Sequence, residues 1–398
     1  MRLALDGGDP VRSDYLVFGR PCIGEEEIEE VVDTLRSRWI GTGPRTAGFE
    51  REFAEYVGAA HAVAVNSCTA GLHLALTVRD IGPGDEVVVP SMTFAASVNV
   101  IVHCGARPRF VDVDPERLTL DPDLVGAAVE ANPGVRAVLA VHFGGLAADL
   151  DALAAAAGRP LIEDAAHAVT TRYRGRMIGS HGNLASFSFY ANKNLTTAEG
   201  GMLTFHEPAL EPRLRALRLH GMHHDAWKRY QSSGLVHTDV IEAGWKYNMT
   251  DLQAALGIHQ LRKQERFVAR REELARRYDA AFDDLPEVRR QHRPADLASD
   301  RHALHLYVLV LELDRLEASR DQVVTALRAE NIGAGIHYRP VHLEPYYRQA
   351  FPQIAGTLPV TERIGRSVLT LPLTPDFSDR DADDVIAAVT KVVAAYRR

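Results

Sequence analysis

The sequence predicts an α/β fold: a large domain around a mostly parallel, doubly wound sheet, with a smaller α+β domain after it. Two observations predict this. From His61 onward, short runs that are apolar throughout are each followed by a turn and a helix-patterned stretch, the signature of βαβ units whose strands are buried on both faces. After Thr250 that alternation stops and a long charged helical pattern begins, as expected where the chain passes into a second domain. At 398 residues the chain is long enough for both. We place the boundary between residues 1–249, an arm with the large domain, and residues 250–398, a connecting helix with the small domain.

The elements follow in order. Residues 1–22 have no period and read as an arm. From Glu25, an acidic first turn leads into Ile28, Val31, Val32 and Leu35 at helical spacing. WIGTGPRTAGFE reads as a glycine-proline loop, and its position before the sheet makes it a candidate ligand-facing loop. HAVAVNS, EVVVPS, RPRFVDVD, RAVLAVHF and RPLIED then read as strands. Between them CTAGLHLALTV, TFAASVNVIVHCG, DPDLVGAAVEAN and DLDALAAAAG read as helices. Thr250 and Gln253 form a capping box opening a helical stretch that reaches Phe282. HALHLYVLVLEL reads as a strand. Ser319 and Gln322 start a helix that stops near Asn331 and Gly333, GIHYRP reads as a strand, and Val385 to Tyr396 form the last helix.

The stretch from Leu161 to Gly201 concentrates the chemistry. One apolar run ends in Asp164, with His167 three residues on; a second, Leu184 to Tyr190, is followed by Lys193 and then a glycine pair. An acid and a lysine just past buried strands fall at strand ends, where open α/β sheets bind ligands. Only five of the 45 basic residues are lysine. A chain that uses arginine for plain positive charge keeps a lysine where an amine must deprotonate or form a Schiff base.

Bulk composition excludes several classes. The net charge of −8 argues against a nucleic-acid or membrane-surface role. The N-terminus lacks a signal-peptide core and no apolar run approaches a membrane span, so the expected location is cytoplasmic. Cys22, Cys68 and Cys104 have neither metal-like nor disulfide-framework spacing. His220, His223 and His224 have no acidic or cysteine partner at ligand spacing, so no metal site is expected. No G-x-G-x-x-G follows the first strand, which disfavours a dehydrogenase.

A lysine and a carboxylate can serve one flat cofactor: the amine holds an aldehyde as an imine, and the carboxylate keeps a ring nitrogen protonated. That is the arrangement pyridoxal phosphate (PLP) requires. Its phosphate needs a cup, which the strand-to-helix turn Ser67 to Gly71 offers through free N–H groups, with Thr69 and Ser188 adding hydroxyls. Phe94 could stack on the ring, and His167 could bond its phenolic oxygen or stack nearby. A nucleotide-binding module using the same sheet without catalysis is the competing class.

With FEREFAEYVGAAHAVAVNSCTAGLHLAL, VVVPSMTFAASVNVIVHCGARPRFVDVD, IEDAAHAVTTRYRGRMIGSHGNLASFSFYANKNLTTAEGGML, YNMTDLQAALGIHQL and IHYRPVH in one order, the chain resembles the DegT/DnrJ/EryC1/StrS family of sugar aminotransferases. The resemblance implies PLP fold type I, the aspartate aminotransferase-like fold. It implies that Lys193 is the cofactor-binding lysine and Asp164 the partner of the ring nitrogen, with His167 against the ring and Phe94 stacked on it. Thr69, Ala70 and Ser188 match the phosphate positions. Asn248 matches an asparagine that reaches the neighbouring subunit's phosphate, so a homodimer with shared sites is implied. Cys68 stands where glycine is commoner. Relatives with histidine at the lysine position are dehydratases; this chain has lysine.

The resemblance further implies L-glutamate as donor and a nucleotide-linked (dTDP or UDP) 4-keto-6-deoxy sugar as acceptor, the alternative being a 3-keto sugar nucleotide or a keto-inositol. His337, Tyr338 and Arg339 fall where family members approach the sugar nucleotide. Trp39, Gly41 and Thr42 could line the same cleft. His220 and Arg229, from the HGMHHDAWKRY loop, could meet the diphosphate; each alone reads equally as a solvated surface group.

Overall fold

Why the apolar runs form one sheet is visible in where their side chains go. In the computed structural model, which describes residues 2–222, 239–294 and 299–398, helices α1 (Glu25–Ser37) and α2 (Pro44–Val57) precede strand β1 (His61–Val65). Then come α3 (Cys68–Val78), β2 (Glu86–Pro90), α4 (Ala95–His103), β3 (Arg107–Val111), α5 (Pro122–Ala131), β4 (Val135–Val141), α6 (Leu150–Ala157) and β5 (Leu161–Asp164). A small hairpin, β6 (Arg172–Tyr173) and β7 (Arg176–Met177), leads to β8 (Leu184–Ser188), β9 (Gly201–Phe205) and α7 (Glu211–Leu217). Along each main strand, alternate residues enter opposite cores. Ala64, Val88, Val138, Ala140, Ala185 and Met202 pack on one face. Val63, Val65, Val87, Leu139, Leu184 and Leu203 pack on the other. Both faces are covered by helices, so the middle of each strand is mostly apolar and the period-2 signal fades from the sequence.

The sheet order is β1-β9-β8-β5-β4-β2-β3. Pairings from β8 through β3 are parallel, while β8–β9 and β1–β9 are antiparallel. Two antiparallel steps restore direction. The carboxyl end of β1 therefore lies on the same side as those of β5 and β8, although β1 is at the sheet's edge. This is the finding the sequence reading lacked: GMLTF was not recognised as a strand, and without it β1 has no partner.

The C-terminal part begins with α8 (Asp251–Arg262) and α9 (Gln264–Phe282). They are two helices, not the single one expected, with the break at Lys263, whose ammonium is drawn to Glu26 and Glu27 at the start of α1. Strand β10 (Val288–Arg290), β11 (Tyr307–Leu311), α10 (Arg320–Ala329), α11 (Pro345–Ala350), α12 (Pro359–Ser367), β12 (Val368–Leu371) and α13 (Asp379–Tyr396) follow. β10-β11-β12 form an antiparallel sheet. One face packs on α9, α10 and α13 through Tyr278, Val324 and Val389. The other, through Val308 and Val310, meets Met92 and Phe143 of the large part. The N-terminal arm belongs to this small core: Leu3 and Leu16 are buried in it.

Three expectations are corrected locally. The loop WIGTGPRTAGFE becomes helix at Pro44, because Pro at N1 needs no N–H and Asp251 accepts from the N–H groups of Gly43 (2.8 Å) and Thr46 (2.9 Å). GIHYRP is not a strand; apart from one bridge, Gly335 to Thr370, it is extended chain leading into the site. In α1 the apolar stripe is not the core face: Ile28 and Leu35 are exposed and Val31 and Val32 half-buried, while Glu27 and Thr34 are buried. The pattern predicted the helix but not the side it presents to the core.

Candidate active site

The carboxyl ends of β1, β4, β5 and β8 converge on a cavity of about 370 Å³. Two glycines let the elements approach closely. A Cβ at Gly201, between Val65 and Ser188 in the pairing, would lie 2.6–2.7 Å from the backbone of Ser67 and Cys68. A Cβ at Gly71 would lie 2.2 Å from Ser186 Oγ. Helix α3 is thereby seated on β8 with its N-terminus at the cavity.

Asp164 ends β5 and is almost fully buried. Its Oδ2 accepts from Ser97 Oγ at 2.6 Å, and its Oδ1 accepts from the Ala166 N–H at 3.1 Å. Lys193 lies in the turn after β8, its N–H donating to Tyr190 O at 2.9 Å. Burial pushes its amine down to about 8, against the opposing pull of Asp164. The two side chains predicted to share one ligand therefore line one cavity.

Thr69 and Ser188 line the cavity too, with Ser67 as N-cap of α3. Ala70 is not in the lining, and its N–H is spent on Ser67 Oγ at 3.1 Å. Cys68 needs no glycine's freedom: it is the first helical residue, and its thiol lies 3.3 Å from Ser186 O and 3.8 Å from Asp164 Oδ1. Phe94, the N-cap of α4, lines the cavity with 59% of its surface exposed. A phenylalanine this open at a cavity wall is a surface for a flat ligand rather than a core residue.

The lining also carries the imidazoles of His167, His305 and His337. His167 Nδ1 accepts from the Gly144 N–H at 3.2 Å, so its Nε2 carries the proton that reaches Tyr338 Oη, also at 3.2 Å. His305 packs on His167 with ring centroids 4.4 Å apart; its Nδ1 faces Asn194 Oδ1 at 3.1 Å. His337 Nδ1 pairs with Thr370 Oγ1 at 2.7 Å, and Phe18 of the arm stacks on its ring. Burial, helped by the nearby Lys193, holds His167 and His305 well below the usual imidazole range and pushes His337 down to about 4. All three are neutral at physiological pH. They thus offer hydrogen bonds without charge.

Other expected residues fall elsewhere. Thr42 and Asn248 lie in a separate groove with Trp39, Gly41 and Lys246, where Asn248 Nδ2 donates to Thr42 Oγ1 at 2.6 Å. His220 does not line the cavity; its N–H donates to Trp245 O at 2.8 Å. Arg339 is mostly exposed and donates to Leu343 O at 3.0 Å. Arg229, like His223 and His224, lies outside the described residues. Sequence reasoning missed Thr93, Ser97, Tyr190 and His305. Tyr190 and His305 flank strands already recognised, and that position was the signal available. Among the described residues no group of His, Cys, Asp and Glu could hold a metal ion, and no helix is long and apolar enough to cross a membrane.

The donor set fits PLP. It supplies an amine depressed by burial, a braced carboxylate, an open aromatic plate, and a helix N-terminus with serine and threonine hydroxyls. Comparison with known proteins agrees. The sequence profile of the DegT/DnrJ/EryC1/StrS aminotransferase family matches residues 21–390. The chain is 48% identical over 386 residues to the spore coat polysaccharide biosynthesis protein SpsC of Bacillus subtilis (strain 168), covering 96% of this chain and 98% of that protein. It superimposes on Spr1654 of Streptococcus pneumoniae, described as a sugar aminotransferase, in its PMP form with a TM-score of 0.89. That match has 32% identity and covers 96% of this chain and 99% of that one. The PLP form of Spr1654 gives 0.87. DesV of S. venezuelae is 36% identical over 92% of this chain and 94% of its own, with a TM-score of 0.83.

Proposed function

Because the chain belongs to the DegT/DnrJ/EryC1/StrS aminotransferase family, we propose that it moves the amino group of L-glutamate to a nucleotide-linked 4-keto-6-deoxy sugar, giving a 4-amino-4,6-dideoxy sugar nucleotide. It is a PLP-dependent sugar aminotransferase of fold type I. The donor and acceptor are the proposed part. The observation that carries the reading is Lys193, an amine pushed down to about 8 in one cavity with Asp164.

When bound, PLP supplies an aldehyde that joins an amine and a ring that takes up the electrons freed when a neighbouring C–H bond breaks. Every other part belongs to the chain. Lys193 Nζ would hold the aldehyde and give way to the donor's amine. The freed Nζ, able to be neutral near physiological pH, would take the proton from the donor's α-carbon as a base and return it as an acid. In the second half-reaction the same nitrogen moves protons in the reverse sense toward the sugar carbon. Asp164 would face the ring nitrogen. Ser67, Thr69 and Ser188 would receive the phosphate, and Phe94 would cover one ring face. His167 and Tyr338 would meet the ring edge, with His337 beside them toward the sugar. Neutral imidazoles there leave the charge balance to Asp164 and Lys193.

The partner is a second copy of the chain. Asn248 and Thr42 sit in a groove apart from their own protomer's cavity, as residues serving a neighbour's site would. The outward Ile28 and Leu35 of α1 give an apolar face for that contact. A cytoplasmic location fits a reaction on a charged nucleotide sugar.

The test is direct. The purified holoprotein should be yellow, and L-glutamate should bleach it, releasing 2-oxoglutarate. A panel of 4-keto and 3-keto sugar nucleotides and a keto-inositol should then restore the colour, fastest with a 4-keto-6-deoxy sugar. Restoration by none of the sugars would reject the acceptor; failure to bleach would reject the donor.

A further inference from the structure

Asp164 is the group that addresses the cofactor ring, yet its own orientation is set by a residue that touches no ligand. Ser97 is the third residue of α4 and has no measurable exposure. Its hydroxyl has one proton and three oxygens in reach: Asp164 Oδ2 at 2.6 Å, Thr93 Oγ1 at 2.8 Å and Phe94 O at 3.3 Å. The shortest contact, to a carboxylate oxygen, takes the proton. The Ser97 oxygen is then free to accept, and Thr93 Oγ1 lies 2.8 Å from it. Polarity therefore runs one way, from Thr93 to Ser97 to Asp164.

On the other side of the carboxylate, Oδ1 is held by the Ala166 N–H. With one anchor on each oxygen, rotation about the Cβ–Cγ bond of Asp164 is stopped and the plane of the carboxylate is fixed. One anchor is backbone of the same segment. The other comes from α4, which also carries Phe94 as its N-cap. One helix end thus sets both the stacking plate and the plane of the acid.

We infer that Ser97, backed by Thr93, is a positioning residue that turns the Asp164 carboxylate toward the ring nitrogen of the cofactor. This rests on the PLP reading above. It predicts a specific defect: loss of discrimination for the ring nitrogen, rather than a general loss of binding.

The experiment compares the dissociation constants of PLP and of its analogue with carbon in place of the ring nitrogen, measured on the apo dimer by fluorescence quenching. Borohydride trapping on Lys193 is run in parallel. In the wild type PLP should bind more tightly than the analogue. Ser97→Ala should reduce that ratio by about tenfold, the size of effect expected when a buried hydrogen bond to a charged group is lost. Ser97→Thr, which keeps the hydroxyl, should restore it. Thr93→Val, which leaves Ser97 in place, should reduce the ratio by a smaller factor, and it serves as the test if Ser97→Ala does not fold. A purely structural role would weaken both ligands equally, and that result overturns the inference, as does an unchanged ratio in Ser97→Ala or Thr93→Val. Failure of the wild type to trap PLP on Lys193 overturns the cofactor reading itself, and the inference with it.

Discussion

If burial rather than charge sets the reactivity of Lys193, the apo protein should capture PLP with a pH midpoint near 8. The amine has moved from 10.5 to about 8, with desolvation the largest cause. At 1.36 kcal/mol per unit, that is a bias of roughly 3 kcal/mol toward the neutral form. At about pH 7.5 about a quarter of the amines are then neutral, against about one in a thousand for an ordinary lysine. Only the neutral amine attacks an aldehyde. The capture rate, followed by stopped-flow absorbance, should therefore rise with pH through about 8 and level off above about 9. Around Lys193 the groups that face it are Asp164 from β5 and the imidazoles of His167, His305 and His337, all neutral in this range. Asp164 is the main group that opposes the shift, with Cys68 behind it. Asp164→Asn removes that opposition, so the midpoint should move further down. A midpoint near 10, or an upward move in Asp164→Asn, would refute the reasoning, because either would mean that the amine is solvated or that the carboxylate is too far away to act.

The remaining predictions follow from single contacts. Phe94→Ala should weaken PLP binding about three- to tenfold by equilibrium titration, the range expected for one lost aromatic stack, with little change in melting temperature since the ring is largely exposed. Glu50→Ala should destabilise the fold by about 3–5 kcal/mol in urea unfolding: it strands Arg218, which is buried, and frees the Ala64 N–H that Glu50 accepts at 2.9 Å. Burial alone would raise the Glu50 carboxyl, but Arg218 and Arg215 outweigh it and hold it below the usual range. Its folded value being depressed, the stabilisation is full above the unfolded value near about 4.3 and is lost as pH falls below it. Ile28→Glu with Leu35→Glu should give a monomer by light scattering with unchanged far-UV circular dichroism and with turnover abolished; a dimer with full activity would show that α1 is not the contact.

How much was legible follows from where each signal resides. Both-face burial writes itself into the sequence as short, mostly apolar runs, so β1 to β5 and β8 were readable from their apolar residues. Strand ends are where the chain leaves the core, so polar residues there stand out, and Asp164 and Lys193 were readable for the same reason. β9 was not, because MLTF is short and follows a glycine pair that resembles a turn. The glycines are there for the close approach to Ser67 and Cys68, a tertiary fact with no local signature.

Ser97 and α1 show the deeper limit. Inside AASVNVIVH a serine at the third helical position looks like any small residue near a helix start. Its role exists only because β5, 67 residues away in sequence, ends beneath it. Helix α1 fails in the opposite way. Its apolar period is strong, and a period states that one face is buried without stating what buries it. The core side is held instead by Glu27, which binds Lys263 and takes a hydrogen bond from Gln260 at 2.9 Å. A polar anchor inward and an apolar stripe outward is the reverse of a helix that serves only its own domain. Such a helix makes sense when the folding unit is larger than one chain. The outward stripe is thus the observation that supports the proposed contact with a second copy.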